Sequence, residues 1–285
     1  MKNGPFVMMF QAKKESRVPC QHSLVLVLVL LLGSNQMLIA FDHSAWDKLL
    51  RENVIVINGG QVTQVDYDGF LRQRSELKEY LKSLSEIPKA DFNEWDKSRQ
   101  LAFLINAYNA WTIELVLTRY PKLRSIRQIG LLPISAWRKD IVELFNTKYS
   151  LDEVEHGMIR AEGIYNEPRI HFAVNCAAIG CPALRPEAFV GEKLEEQLEE
   201  STKLFLADKT RNYSDGGKLY ISSVFDWYGE DFEKGWQGIN SVAQFLYLYA
   251  EELRLDEEMK EKLFTNQLEL HYLKYDWNLN RTAPL

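Results

Sequence analysis

Between Arg169 and Pro182 the chain reads Arg-Ile-His-Phe-Ala-Val-Asn-Cys-Ala-Ala-Ile-Gly-Cys-Pro, which places His171, Cys176 and Cys181 beside a guanidinium and an amide. Upstream, Ser150-Leu-Asp-Glu-Val-Glu-His156 adds carboxylates and a second imidazole. Three chemistries fit these residue types. In the first, Cys181 is a nucleophile. A thiol reacts as its thiolate, which forms when a base or a positive neighbour lowers its pKa. His171 is the expected base, with His156 and Glu155 in support, and Asn106 is a donor to a developing oxyanion. Arg169 and Asn175 are then the expected substrate contacts. In the second, Cys176 and Cys181 close a small disulfide loop, which silences that thiol unless the bridge is reducible. In the third, His156, His171, Cys176 and Cys181 bind zinc, for which the residue types are suitable. The Cys-x2-Cys or His-x3-His spacing of a zinc motif is missing, so neither a metal nor any other cofactor is expected.

The elements that must position these groups follow from periodicity. Arg169 to Cys176 alternates like an internal strand. That parity puts Arg169, His171, Ala173 and Asn175 on a site-facing side, and Ile170, Phe172, Val174 and Cys176 in the core. Cys181 then returns toward His171 after a bend that Gly180 permits and Pro182 stiffens. Asn93 to Tyr120 is the strongest helix, apolar on nearly every face from Leu101 to Leu117 and therefore central. Asn106 lies on its Phe103, Ala110 and Ile113 face, where a buried amide needs a hydrogen-bond partner. Ser150 to Glu153 forms a capping box opening a further helix. Glu155 sits at the edge of that helix's Leu151, Val154 and Met158 stripe and needs a partner, for which Arg169 is suited.

Helices are also predicted over 42–51, 70–84, 191–208 and 239–253, a hairpin over 54–67 around Gly59-Gly60, and strands over 218–222 and 268–277. The Glu195-Glu196 and Glu199-Glu200 pairs read as a solvated face, and His43 and His271 as ordinary surface or core residues. The expected fold is α+β: a single domain of several helices packed around a small, mainly antiparallel sheet, with one central apolar helix.

With 285 residues, 46% of them hydrophobic, the chain can bury a full core. Its net charge of −6 argues against nucleic acid as a partner. Lys13, Lys14 and Arg17 precede a Leu/Val run from Ser23 to Leu32, followed by Leu38-Ile39-Ala40, the layout of a secretory signal peptide. Residues 1–40 are therefore expected to be a signal peptide, with an uncleaved anchor as the alternative, and 41–285 the folded domain. Removal of Lys2, Lys13, Lys14, Arg17 and Glu15 with that segment takes the net charge from −6 to −9. It also takes Cys20, leaving only Cys176 and Cys181.

Leu101-Ala-Phe-Leu-Ile-Asn-Ala-Tyr-Asn-Ala110, Ser150-Leu-Asp-Glu-Val-Glu-His156, Arg169 to Pro182 and Tyr275-Asp-Trp-Asn-Leu-Asn280 occur in that order. Together they closely resemble the domain of unknown function 547 family over roughly residues 65–280. The resemblance implies no activity and assigns no residue a role. It agrees with export, since bacterial members are often exported; the N-terminal coiled coil of plant members is not visible here. A likeness to papain-like or transglutaminase-like enzymes rests on residue types alone and needs a permuted order, because here His precedes Cys.

The favoured expectation is a periplasmic or secreted protein with a thiol-dependent Cys–His hydrolase or acyl-transfer site. The alternative is a non-catalytic exported binding module whose Cys176–Cys181 bridge shapes a ligand loop. The expected partner is a small molecule or peptide, with membrane contact only through an uncleaved N-terminal segment.

Overall fold

The structure, a computed structural model, describes residues 40–130 and 135–282. The expected signal segment, with Cys20, lies outside the described residues except for Ala40. The centre of the fold is the helix Lys97–Leu117, started by the Asp96 side chain, which accepts from the Arg99 N–H. Every residue from Gln100 to Leu117 is buried. A helix with no polar face has to be surrounded by other elements. Ser44–Asn53, Arg74–Ser85 and Leu194–Ala207 are among the helices around it, and Trp46 of the first stacks on Tyr80 of the second at 5.8 Å. Among the described residues no helix is long and apolar enough to cross a membrane.

The fold is an α+β single domain, and its strands are divided among small sheets. Val54–Ile57 pairs antiparallel with Val62–Val65, and Val142–Leu144 with Thr147–Tyr149. Tyr213–Asp215 and Lys218–Ser222 are antiparallel, whereas Lys218–Ser222 and Leu270–Leu273 run parallel. A helix, rather than a sheet, therefore sits at the centre. The apolar side chains form one cluster around that helix and another, rich in phenylalanine, from the C-terminal third. Several predicted elements are shorter than their periodicity implied. The 70–84 helix breaks at Gln73, the 239–253 helix ends at Leu248, and the last strand ends at Leu273.

One expectation is overturned. Arg169 to Cys176 is not a strand: Pro168–Phe172 is a 3₁₀ turn, begun by the Glu167 side chain, which accepts from the Arg169 N–H. Proline at the first turn favours this start, since its missing N–H and fixed φ suit a helix opening. The alternation reflects two cores rather than one face. Ile170 and Val174 pack in the central cluster, whereas Phe172 packs with Phe205, Phe225 and Phe245 in the other.

From Ala173 to Val190 the backbone has neither helix nor strand, apart from an isolated bridge between Ala178 and Leu279. Much of it is buried, so its polar groups need partners. Side-chain amides supply them. Asn109 on the central helix donates to Ala173 O at 3.0 Å and accepts from Asn175 N–H at 2.8 Å. One turn earlier, Asn106 donates to Phe189 O at 2.7 Å and accepts from Phe189 N–H at 3.0 Å. Gln197 clasps Ala188 O and Val190 N–H in the same way. On the other side, the final segment accepts from Ile179 and Gly180 through Asn278 O and Asp276 O.

Replacing Asn106 by alanine strands two buried backbone groups, each costing about 1–3 kcal/mol. Asn106→Ala should therefore destabilise the fold by roughly 2–5 kcal/mol. Urea unfolding checks this as a lower midpoint at unchanged slope; an unchanged midpoint would show that the Phe189 backbone finds other partners.

Candidate functional site

A cavity of about 160 Å³ opens beside the irregular segment. Cys176, Cys181, His171, His156 and Glu155 all line it. Ser150 opens the Leu151–Val154 helix with a complete capping box, and the next turn, Glu155–Ile159, widens into a π-turn closed by Arg160 N–H on Glu155 O at 2.8 Å. A wider turn rotates less per residue than an α-helix, which helps neighbouring Glu155 and His156 to reach one cavity.

His171 is buried, and its ring stacks on Tyr228 at a centroid distance of 4.1 Å. Its Nε2 lies 2.7 Å from Asp231 Oδ2. Asp231 also accepts from Arg160, and from Lys234 at 2.7 Å. Burial alone would raise the Asp231 pKa, but hydrogen bonds from His171, Arg160 and Lys234 hold it far below the carboxylate range. Burial lowers the His171 pKa, with the bond to Asp231 and the charge of Glu155 in opposition. Two cations already offset Asp231, so a neutral imidazole donating Nε2–H satisfies both groups. Nδ1 then carries the lone pair, and no described residue is hydrogen-bonded to it.

A disulfide joins Cys176 and Cys181, whose Cα atoms are 6.1 Å apart. Cys181 is buried at 3% exposure, whereas Cys176 is partly exposed, the reverse of what strand parity implied for Cys176. Cys176 N–H points at Cys181 Sγ at 2.9 Å. The Tyr275 hydroxyl lies 3.1 Å from Cys181 Sγ and 3.2 Å from Cys176 Sγ. Burial pushes the Tyr275 phenol pKa up, so the hydroxyl keeps its proton and can donate it. Gly180 makes this contact possible, because a Cβ there would stand 2.9 Å from the Tyr275 ring.

Other expected site residues lie elsewhere. Asn106 is not an oxyanion donor: it does not line the cavity, and its amide is engaged by the Phe189 backbone. Asn175 is not a substrate contact: its side chain bonds Pro182 O and Ala177 N–H, bracing the loop that carries the cysteines. Arg169 is not one either. It is buried against Trp236 and pairs with Glu167 and Glu195 at 2.7 Å and Glu199 at 3.3 Å. Glu195 and Glu199 are therefore ion-pair partners rather than a purely solvated face, and Glu200 likewise pairs with Arg185. Nor does Glu155 meet Arg169. Its charge acts on the buried phenol of Tyr108 and the half-buried phenol of Tyr228, whose pKa values are raised by burial first and by Glu155 next. His156 Nδ1 is taken by Arg160, so this imidazole faces the cavity with one nitrogen engaged. Among the described residues no group of three His, Cys, Asp or Glu side chains is placed to hold a metal ion.

Asp231, Tyr275 and the cavity-lining tryptophans Trp137, Trp227 and Trp277 were missed. Asp231 is 60 residues from His171 and lies in a stretch notable only for aromatic and acidic residues, so no spacing rule links the pair. Tyr275 and Trp277 had a signal, since both fall within the late Tyr-Asp-Trp-Asn-Leu-Asn motif. That motif runs beside the cysteine loop through Ile179 N–H on Asn278 O and Asn280 N–H on Ala177 O.

The chain matches no curated protein and no solved structure. Residues 92–206 match the model of a family described as a protein of unknown function, DUF547. That span holds the central helix, the capping box, His171 and both cysteines, while Asp231 and Tyr275 lie beyond it. The match over residues 92–206 supports the resemblance to the domain of unknown function 547 family.

Proposed function

We propose that the cavity is the site of a thiol-dependent hydrolase or acyl transferase, latent while Cys181 is joined to Cys176. The observation that carries this reading is that His171, which lines the same cavity as Cys181, is held from behind by Asp231. A carboxylate that fixes the tautomer and orientation of an imidazole is the supporting group a nucleophile's base needs. Asp231 takes the orienting role expected of Glu155.

In this reading an external dithiol reductant opens the bridge. Its thiolate attacks the more exposed Cys176 sulfur, Cys181 leaves as a thiolate, and the reductant's second thiol completes its own disulfide, freeing Cys176. The released thiolate takes a proton from water. In the reaction the Cys181 thiol gives that proton to His171 Nδ1 as its sulfur attacks the carbonyl carbon of a substrate, and the imidazolium passes it to the leaving group. A thioester forms, and water or an acceptor nucleophile releases the acyl group. Tyr275, already at both sulfurs, favours the thiolate by donating to it. The second reading, a binding module, is favoured by the bridge itself, which ties the loop whether or not it opens.

We also propose export to the periplasm or the extracellular space. The charged and apolar pattern of residues 13–32 supports it, as does the disulfide, since such bonds persist in oxidising compartments.

Reduction should expose Cys181 to iodoacetamide, and the peptide holding Cys176 and Cys181 should take no label before it. His171→Ala should slow Cys181 labelling about tenfold or more, the scale of a lost general base. An unchanged rate would leave the binding-module reading. Because the His171 pKa lies below its ordinary value, the imidazole stays a base as pH falls past about 6.5. Labelling assisted by it should thus persist below that pH before falling in stronger acid. Tyr275→Phe removes a hydrogen bond to the thiolate, worth about 1.5–3 kcal/mol for a charged acceptor. The pH midpoint for labelling should rise by about one to two units. No rise would show that Tyr275 only packs against the sulfurs.

A further inference from the structure

The cavity carries charge of one sign. Among the described residues its lining acids are Asp152 and Glu155, and no lysine or arginine lines it. The acids at and behind it differ in their partners. Asp152 pairs with Arg138, and Asp231 with Arg160 and Lys234. Glu155, at 6% exposure, has no basic partner among the described ion pairs and rests against the phenols of Tyr108 and Tyr228. A buried carboxylate is expensive without a counter-charge.

The mouth is aromatic. Trp277 stacks on Trp227 at 5.6 Å, meets Trp137 edge-on at 5.8 Å and touches Tyr275 at 4.5 Å. Trp227 is 46% exposed, a large apolar area left facing solvent. Aromatic faces attract cations through their quadrupole, most strongly for tryptophan. The same group of rings already does so: the Arg127 guanidinium lies 5.2 Å from Trp277 and that of Arg160 4.7 Å from Tyr228.

We propose that this cavity binds the ammonium head group of a small organic cation, with the tryptophan rings around the head group and Glu155 as its counter-charge. A volume of about 160 Å³ suits a head group of a few heavy atoms, since one water occupies on the order of 10–15 Å³ on the same measure. The cation enters as the free compound, so the substrate of the reading above is an acyl compound bearing an ammonium group. The inference rests on that reading for where the substrate sits, and needs nothing of the thiol.

Calorimetric titration of the full chain, with its disulfide intact, tests this using choline and its neutral isostere 3,3-dimethylbutan-1-ol at matched ionic strength. Choline should bind saturably, and the alcohol about tenfold more weakly or not at all. Glu155→Gln should weaken choline about tenfold while changing the alcohol little. Trp227→Leu alters an exposed ring and should also weaken choline, which keeps the test open if the Glu155 variant fails to fold. Equal affinity for the two probes, no saturable choline binding, or unchanged choline affinity in the folded variants would overturn the proposal. Choline binding by a protein whose reduced Cys181 is unreactive would retain this inference and discard the thiol mechanism. A reactive Cys181 without choline binding would do the reverse.

Discussion

The structure depends on how a buried stretch of irregular backbone satisfies its polar groups. Residues 173–190 pass between the central helix and the C-terminal third without a ladder of their own. An unpaired buried N–H or C=O costs about as much as a lost hydrogen bond, so such a segment survives only if side chains replace the missing partners. Asn106 and Asn109, three residues apart on one helix, each hold one carbonyl and one N–H of that segment. The helix is largely apolar around its circumference because it is enclosed, and these two amides are among its few buried polar side chains. The cavity follows from this arrangement. The segment leaves the central cluster at Ile170, enters the phenylalanine cluster at Phe172 and returns at Ala173 and Val174, so His171 is held where the two cores meet.

The electrostatics of the site follow from the same burial. A neutral His171 and a charged Asp231 are compatible because Arg160 and Lys234 supply the positive charge that the imidazole need not carry. Arg160 serves twice, since its guanidinium also holds His156 Nδ1. Arg160 thus orients the His156 ring and, together with Lys234, balances the charge behind His171. The sulfurs sit on the opposite side of the problem, with Tyr275 as a donor that serves either a disulfide or a thiolate. Gly180 is the small residue that lets this ring approach.

Much of the frame was legible in the sequence. The all-apolar run of Leu101 to Leu117 announced a central helix, and Ser150 with Glu153 announced a capping box that is formed in full. His171, His156, Glu155 and the two cysteines were recognisable as a group because they lie close along the chain. The readings that failed share one cause: local pattern was taken as a guide to distant partners. Alternation over Arg169 to Cys176 looked like a strand, but Glu167 and Pro168 open a turn there, and Arg169 folds back onto Glu195 and Glu199, which a helical reading gives to solvent. Asn106 looked available for chemistry because its Phe189 partner is 83 residues away. Asp231 was invisible for the same reason, since an acid becomes a histidine's partner only through tertiary structure.

The central claim is that Cys181 becomes an acyl-accepting nucleophile under His171 once the bridge to Cys176 opens. The most direct measurement is mass mapping of the protein after exposure to an activated ester such as p-nitrophenyl acetate, with and without prior reduction. An acetyl adduct on Cys181 that appears only after reduction, and falls sharply in His171→Ala and Asp231→Asn, is the predicted result. Acetylation spread over surface lysines with none on Cys181, or an adduct on Cys181 indifferent to both substitutions, would contradict it.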